Sequence, residues 1–161
     1  MIQQRTKFVT HAAIIGALYV VLTQITTFLG LSSDAIQVRF SEALTILAAF
    51  TPAAIPGLTI GCFLSNIFAG CVLWDVIFGS IATLLGSIGT YLLKKHKSLA
   101  PVPPIIFNTL IIPFVLRYAY GAPGSIGYFM ITIGIGEIIS CGILGALLIC
   151  VLNKFKNRIN L

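Results

Sequence analysis

Four acidic side chains serve the whole chain: Asp34, Glu42, Asp75 and Glu137. Arg39 and Glu42 stand three residues apart, so a helix sets them on one face. Two roles suit that spacing. The pair can anchor a helix end, or Glu42 can accept hydrogen bonds from a small ligand while Arg39 orients it. Glu137 stands alone in the apolar run ITIGIGEIISCG. At mid-membrane depth a carboxylate costs roughly 2.5–3.5 kcal/mol on insertion scales, so it must face protein and find a partner or a proton. It therefore marks either a ligand contact or a structural hydrogen bond, with Asn108 and Arg117 as candidate partners. Asn66 and Asn108 are lone amides that can both donate and accept, toward a ligand or toward a neighbouring helix. Trp74 directly precedes Asp75. It reads as an interfacial anchor or as a stacking platform beside a carboxylate, and Tyr118, Tyr120 and Tyr128 carry the same ambiguity.

The elements that hold these residues belong in a bilayer. The chain is 58% hydrophobic and 9% charged, with a mean hydropathy of +1.04. A soluble domain carries about 25% charged residues, so this exterior must face lipid. The net charge of +6 would suggest nucleic acid on a soluble protein. Here the basic residues gather at segment ends, where they set orientation, and no basic run is interleaved with exposed aromatics. The basic start followed by an apolar run resembles a signal peptide. The run from Phe8 to Leu31 exceeds an ordinary signal core of about 7–15 residues and reads as a first span.

Charges and breakers divide the rest. The expected spans are about 8–29, 41–51, 54–69, 74–93, 103–118 and 125–152. Ala43 to Trp74 contains no charge, yet as one helix its 32 residues would run about 48 Å, too long for a bilayer core of about 30 Å. Pro52, Pro56 and Gly57 interrupt it, which predicts two short helices, the first buried among its neighbours. Six passes leave Arg5, Lys7, Lys94, Lys95, Lys97, Lys154, Lys156 and Arg158 on the cytoplasmic side, and only Arg39 and Arg117 outside. Five passes divide the charges less well. The expected fold is all-α, a single six-span membrane bundle with both termini cytoplasmic. Asp34, Glu42 and Asp75 then fall at outer ends of spans.

Several chemistries lack their residues. No nucleophile elbow, zinc-protease motif, phosphate loop or Walker motif occurs, so no catalytic residue is assigned and ATP hydrolysis cannot reside here. Cys62, Cys71, Cys141 and Cys150 form no CxxC and read as small apolar fillers, with a Cys62–Cys71 bridge lacking positive support. No metal site is expected, since His11 and His96 lie near ends of different segments. Small residues recur at helical spacing: Gly57, Gly61 and Ser65, and Gly142 and Ala146, suit internal packing, whereas Ala13 and Ala17 could form an external docking face.

The stretch VRFSEALTILAAFTPAAIPGLTIGCFLSNIFAG and the following WDVIFGSIATLLG resemble the QueT family, substrate-binding (S) components of energy-coupling factor (ECF) transporters. The resemblance covers the six spans, and Ala13 and Ala17 match the AxxxA pattern that S components use against their membrane coupling subunit. It implies capture of a queuosine precursor, a 7-deazaguanine base such as queuine or its aminomethyl precursor, from outside. It also implies partners: a T component and two cytoplasmic ATPases, which use ATP to topple the S component and release the ligand inward. No cofactor is implied in this chain itself. Under that reading the substrate-binding residues are Glu137, Glu42, Arg39, Asn66, Trp74, Asp75, Asn108, Arg117 and Tyr118. A carboxylate would accept from the base's adjacent N–H groups, an amide would read another edge, and an aromatic ring would stack on its face. The competing readings are an S component for another vitamin or nucleobase, a small membrane enzyme acting at the outer face, and a membrane scaffold.

Overall fold

The computed structural model describes residues 2–31 and 36–156, excepting the side chains of Asn153, Phe155 and Lys156. Asp34 and Arg158 lie outside the described residues. The described chain is helical throughout, in six successive rods. These are α1 (Ile2–Phe28), a 3-10 helix (Phe40–Ala49), α2 (Ala54–Phe68), α3 (Leu73–Leu92), α4 (Val102–Tyr118) and a last rod in three parts. That rod joins α5 (Ile126–Glu137) to a π segment (Ile138–Leu144) and then to α6 (Gly145–Lys156). Four rods are long and apolar enough to cross a membrane. The outward faces of these rods and of α2 carry exposed Ile14, Leu18, Val21, Ile60, Phe63, Ile131 and Leu147, an apolar shell suited to lipid.

The break at Pro52 falls where its backbone chemistry predicts it, between the 3-10 helix and α2. α1 starts earlier than the apolar run, at Ile2, because Gln3, Gln4, Arg5 and Lys7 are all good helix formers. The 3-10 helix differs from the expected α-helix. At about 2.0 Å per residue its ten residues reach about 20 Å, against about 15 Å as α-helix. Runs of this length are uncommon. This one is enclosed by α1, α3, the π segment and α6, and nearly all its residues are buried.

Close helix approaches explain the small residues. A Cβ on Gly57 would lie 2.5 Å from the Ala12 carbonyl oxygen, and one on Gly61 would lie 2.9 Å from that of Gly16. Gln24 then donates to the Ser65 carbonyl at 3.2 Å. So α1 and α2 run side by side in the same direction, and Gly57, Gly61 and Ser65 serve internal packing as their spacing predicts. Gly142 is a correction: its Cβ would meet only Ile138 of its own rod, and Gly145 is the residue that faces the 3-10 helix, through Ile46 at 3.1 Å.

The two ends of the bundle differ. At one end, Lys97 sits 4.0 Å above the Phe50 ring, and Ala100 packs with Ile46 and Ala49. The start of α1 and the end of α6 point to this end, because successive rods alternate in direction. At the other end, the segments 36–39, 69–72 and 119–125 gather around an opening.

Candidate functional site

The two irregular helices bring the two intramembrane glutamates together. Glu42 lies in the first turn of the 3-10 helix, and Glu137 closes α5 where the π segment begins. A carboxylate oxygen from each, together with Cys141 Sγ, lies within 4.8 Å of the others. Both carboxylates are buried, at 2% and 7% exposure. The 3-10 turn places Thr45 one turn after Glu42, where its hydroxyl caps the Glu42 carbonyl at 2.6 Å. The π segment turns Ser140 and Cys141 toward the same place. Ser140 Oγ accepts from the Arg39 amide at 3.0 Å, and the Cys141 thiol meets Glu137 Oε2 at 3.2 Å and the Glu42 carbonyl at 3.4 Å.

Glu42 and Glu137 line a cavity of about 10 Å3, the room of a single water, together with Arg39, Gln37, Cys62, Thr83 and Asn108. Its polar atoms are not all satisfied by protein. Glu42 Oε2, Thr83 Oγ1 and Asn108 Nδ2 are buried without a hydrogen-bond partner among the described residues. Such atoms are costly, typically about 1–3 kcal/mol each, so their convergence on one cavity indicates a polar ligand or water.

Arg39, Gln37 and Ile112 also line a second, larger cavity of about 630 Å3 toward the open end. Its walls include Thr23, Asn66, Cys71, Asp75, Tyr120 and Phe129. Asp75 Oδ2 accepts from Tyr120 at 2.9 Å, while Asp75 Oδ1 is buried and without a partner among the described residues. The Tyr120 hydroxyl also accepts from the Val72 amide at 3.3 Å, so it ties the 119–125 loop to the turn before α3. Burial and the adjacent Asp75 carboxylate push the Tyr120 phenol well above its ordinary range, which keeps it an O–H donor. Burial, then the Asp75 charge, likewise pushes the Cys71 thiol up, so it stays a thiol. Asn66 donates to the Asp75 carbonyl at 3.4 Å and lies against Gly79, where a Cβ would meet its Nδ2 at 3.0 Å.

Six of the nine residues expected to bind ligand therefore converge. Glu42, Glu137, Asn108 and Arg39 line the deep cavity, and Arg39, Asn66 and Asp75 line the outer one. The other three point elsewhere. Trp74 and Tyr118 line an apolar groove of about 530 Å3 on the outside of α3 and α4, where Trp74 stacks on Phe78 and Tyr118 on Phe114. Arg117 is exposed and donates to the Ala122 carbonyl at 3.3 Å, so Cys141 takes the place beside Glu137 expected for Arg117. Ala13 and Ala17 are exposed, whereas Ala12 and Gly16 make the close contact with α2.

Tyr19, Thr83 and Cys141 had no functional signal of their own in the sequence. Tyr19 is fully buried and donates to Glu42 Oε1. All four cysteines are free; Cys62 and Cys141 are buried in the core, as the filler reading expects, and each also touches a polar partner, whereas Cys71 and Cys150 are not buried and depart from it. The Glu42, Glu137 and Cys141 donors are of types that hold cations. They are only three, and the Arg39 guanidinium on the same cavity opposes a cation. The arrangement suits recognition of a small polar molecule through carboxylate acceptors and amide or hydroxyl donors.

The model of the family described as QueT transporter matches residues 9–154. The chain is also similar to the "Queuosine precursor transporter QueT" of Lactococcus lactis subsp. cremoris (strain MG1363), with 38% identity over 98 residues. That stretch covers 60% of this chain and 57% of the relative, so the match spans little more than half of either. No solved structure matches the chain.

Proposed function

The chain belongs to the QueT transporter family, and on that premise we propose that it is the substrate-capturing membrane subunit of an ECF-type importer. It is a membrane transport protein, and the finer reading concerns what it captures and with whom it works. The ligand is a queuosine precursor, a 7-deazaguanine base, taken up at the open end of the bundle. It passes Asp75, Asn66 and Arg39 and settles against Glu42, Glu137 and Asn108. One observation supports this most: Glu42 Oε2, Asn108 Nδ2 and Thr83 Oγ1 lie buried around one cavity without a hydrogen-bond partner among the described residues. An acceptor, an amide donor and a hydroxyl match the mixed N–H and carbonyl edge of a guanine-like base. The 10 Å3 cavity must widen to admit it, and the neighbouring 630 Å3 supplies the approach.

In this reading all six rods cross the membrane, the buried 3-10 helix within the protein rather than against lipid. The Lys94–Lys97 turn and both chain ends are cytoplasmic. A T component docks on the exposed Ala13 and Ala17 face of α1, where small side chains permit close approach. Two partner ATPases supply the energy. Mass spectrometry of small molecules released from the purified chain tests the ligand. A 7-deazaguanine is expected. Another vitamin or base would retain the importer and replace its substrate, and a turnover product would favour a membrane enzyme.

A further inference from the structure

Glu42 and Glu137 face one cavity, but each has an oxygen already engaged. The Tyr19 hydroxyl donates to Glu42 Oε1, and the Cys141 thiol meets Glu137 Oε2. Glu42 Oε2 is buried and without a partner among the described residues. Each carboxylate oxygen can accept two hydrogen bonds, so the Tyr19 contact fixes the rotation of the group and leaves Oε2 as the fully open acceptor that Glu42 presents to a ligand.

Tyr19 is held in place. Its Cβ occupies the space that a side chain on Gly61 would need, at 2.9 Å, and the residue is fully buried. One turn further along α1, Thr23 donates to Ser41 Oγ at 2.8 Å, and Ser41 directly precedes Glu42. α1 therefore grips both the side chain of Glu42 and the start of the 3-10 helix that carries it.

We propose that Tyr19 is a specificity-determining positioning residue: by engaging Glu42 Oε1 it makes the ligand divide its N–H donors between Glu42 and Glu137. This inference rests on the ligand-capture reading above and adds a rule of selection to it. A fixed single oxygen rejects a ligand that lacks its matching N–H, because that oxygen is then left unpaired. A carboxylate free to turn can find another donor, such as Asn108 or Thr83, and discriminates less. In a guanine-type base the exocyclic amino group carries two hydrogens that point to different sides, so it suits a divided contact.

The test measures Kd for 7-deazaguanine and for 7-deazahypoxanthine, which lacks the amino group, by calorimetry on the purified full chain. The unmodified chain is expected to prefer the amino base by about tenfold or more, the scale of one lost hydrogen bond to a charged group. Tyr19→Phe keeps the ring against Gly61 and removes only the hydroxyl. It is expected to reduce that preference at least about fivefold. In a Glu42→Gln background the same change should leave the preference unaltered, since coupled residues are non-additive. If Glu42→Gln does not fold, the preference of Tyr19→Phe alone decides. A preference unchanged in Tyr19→Phe, even with both affinities shifted alike, overturns the proposal, as does an unmodified chain that does not distinguish the bases. Failure of the unmodified chain to bind either base overturns the ligand-capture reading as well.

Discussion

Burying carboxylates in an apolar bundle costs free energy, and a shared device offsets it at each of the three acids among the described residues. One oxygen of Glu42 accepts from Tyr19, one of Glu137 from Cys141, and one of Asp75 from Tyr120. Hydrogen bonds to charged groups contribute about 1.5–3 kcal/mol when well buried, and less toward the surface. Tyr120→Phe, at the half-open end, should therefore lower stability by about 1 kcal/mol, read as earlier thermal unfolding in detergent. An unchanged unfolding curve would mean that the Tyr120–Asp75 contact carries no stability. Glu137→Gln tests the ligand role. It keeps size but turns one acceptor into a donor that would face ligand N–H groups. Affinity for 7-deazaguanine should fall at least about tenfold, while folding survives because an intramembrane charge has been removed. Poor folding with near-normal affinity in what remains would make Glu137 structural. Glu42, Glu137 and Asn108 could be read from sequence because polar groups inside apolar spans are costly wherever they occur. Tyr19 and Cys141 could not, since a tyrosine or cysteine in an apolar helix packs equally well with its polar atom idle. Trp74 and Tyr118 show the converse, where aromatic rings beside a span end serve the outer surface instead.

α1 works as an element with two faces. Ala12 and Gly16 press on Gly57 and Gly61, while Ala13 and Ala17 lie exposed on the helix. The same kind of substitution should thus have opposite consequences. Gly57→Leu forces carbon against the Ala12 backbone and should cost about 1–3 kcal/mol or more, seen as lost expression or early unfolding. Ala13→Leu with Ala17→Leu should leave folding and ligand binding intact and block uptake in cells that supply the T component and ATPases. Normal uptake by the double variant would move the docking face elsewhere. The helix boundaries were legible where backbone chemistry sets them, as at Pro52. The type of the helix was not. Arg39 is extended, just before the 3-10 helix, so it and Glu42 do not share a helix face as their i, i+3 spacing predicts, and that spacing would suit an α-helix or a 3-10 helix equally. The π segment is equally silent, because ITIGIGEIISCG keeps its apolar character through the transition from α5. Those two departures from α geometry are what aim Glu42 and Glu137 at each other.

At the scale of the molecule, a polar opening at one end of the bundle stands against a basic end at the other. Charge distribution implied that polarity in the sequence, but the opening itself depends on which loops gather, and Tyr120 joins them through contacts far apart in the chain. The orientation is checked with single cysteines in a background lacking the native four. Ser98→Cys, in the exposed turn before α4, should resist an impermeant thiol reagent in intact cells, and Pro123→Cys should react. Labelling at Ser98→Cys with none at Pro123→Cys would invert the topology. The central claim is that this chain alone, without T component or ATPases, captures a 7-deazaguanine at the Glu42–Glu137 cavity. Calorimetric titration of the purified chain with 7-deazaguanine tests it most directly. A saturable one-site isotherm that disappears in the Glu42→Gln/Glu137→Gln double variant is expected, whereas an absent isotherm, or one that the double variant retains, would rule out capture at this cavity.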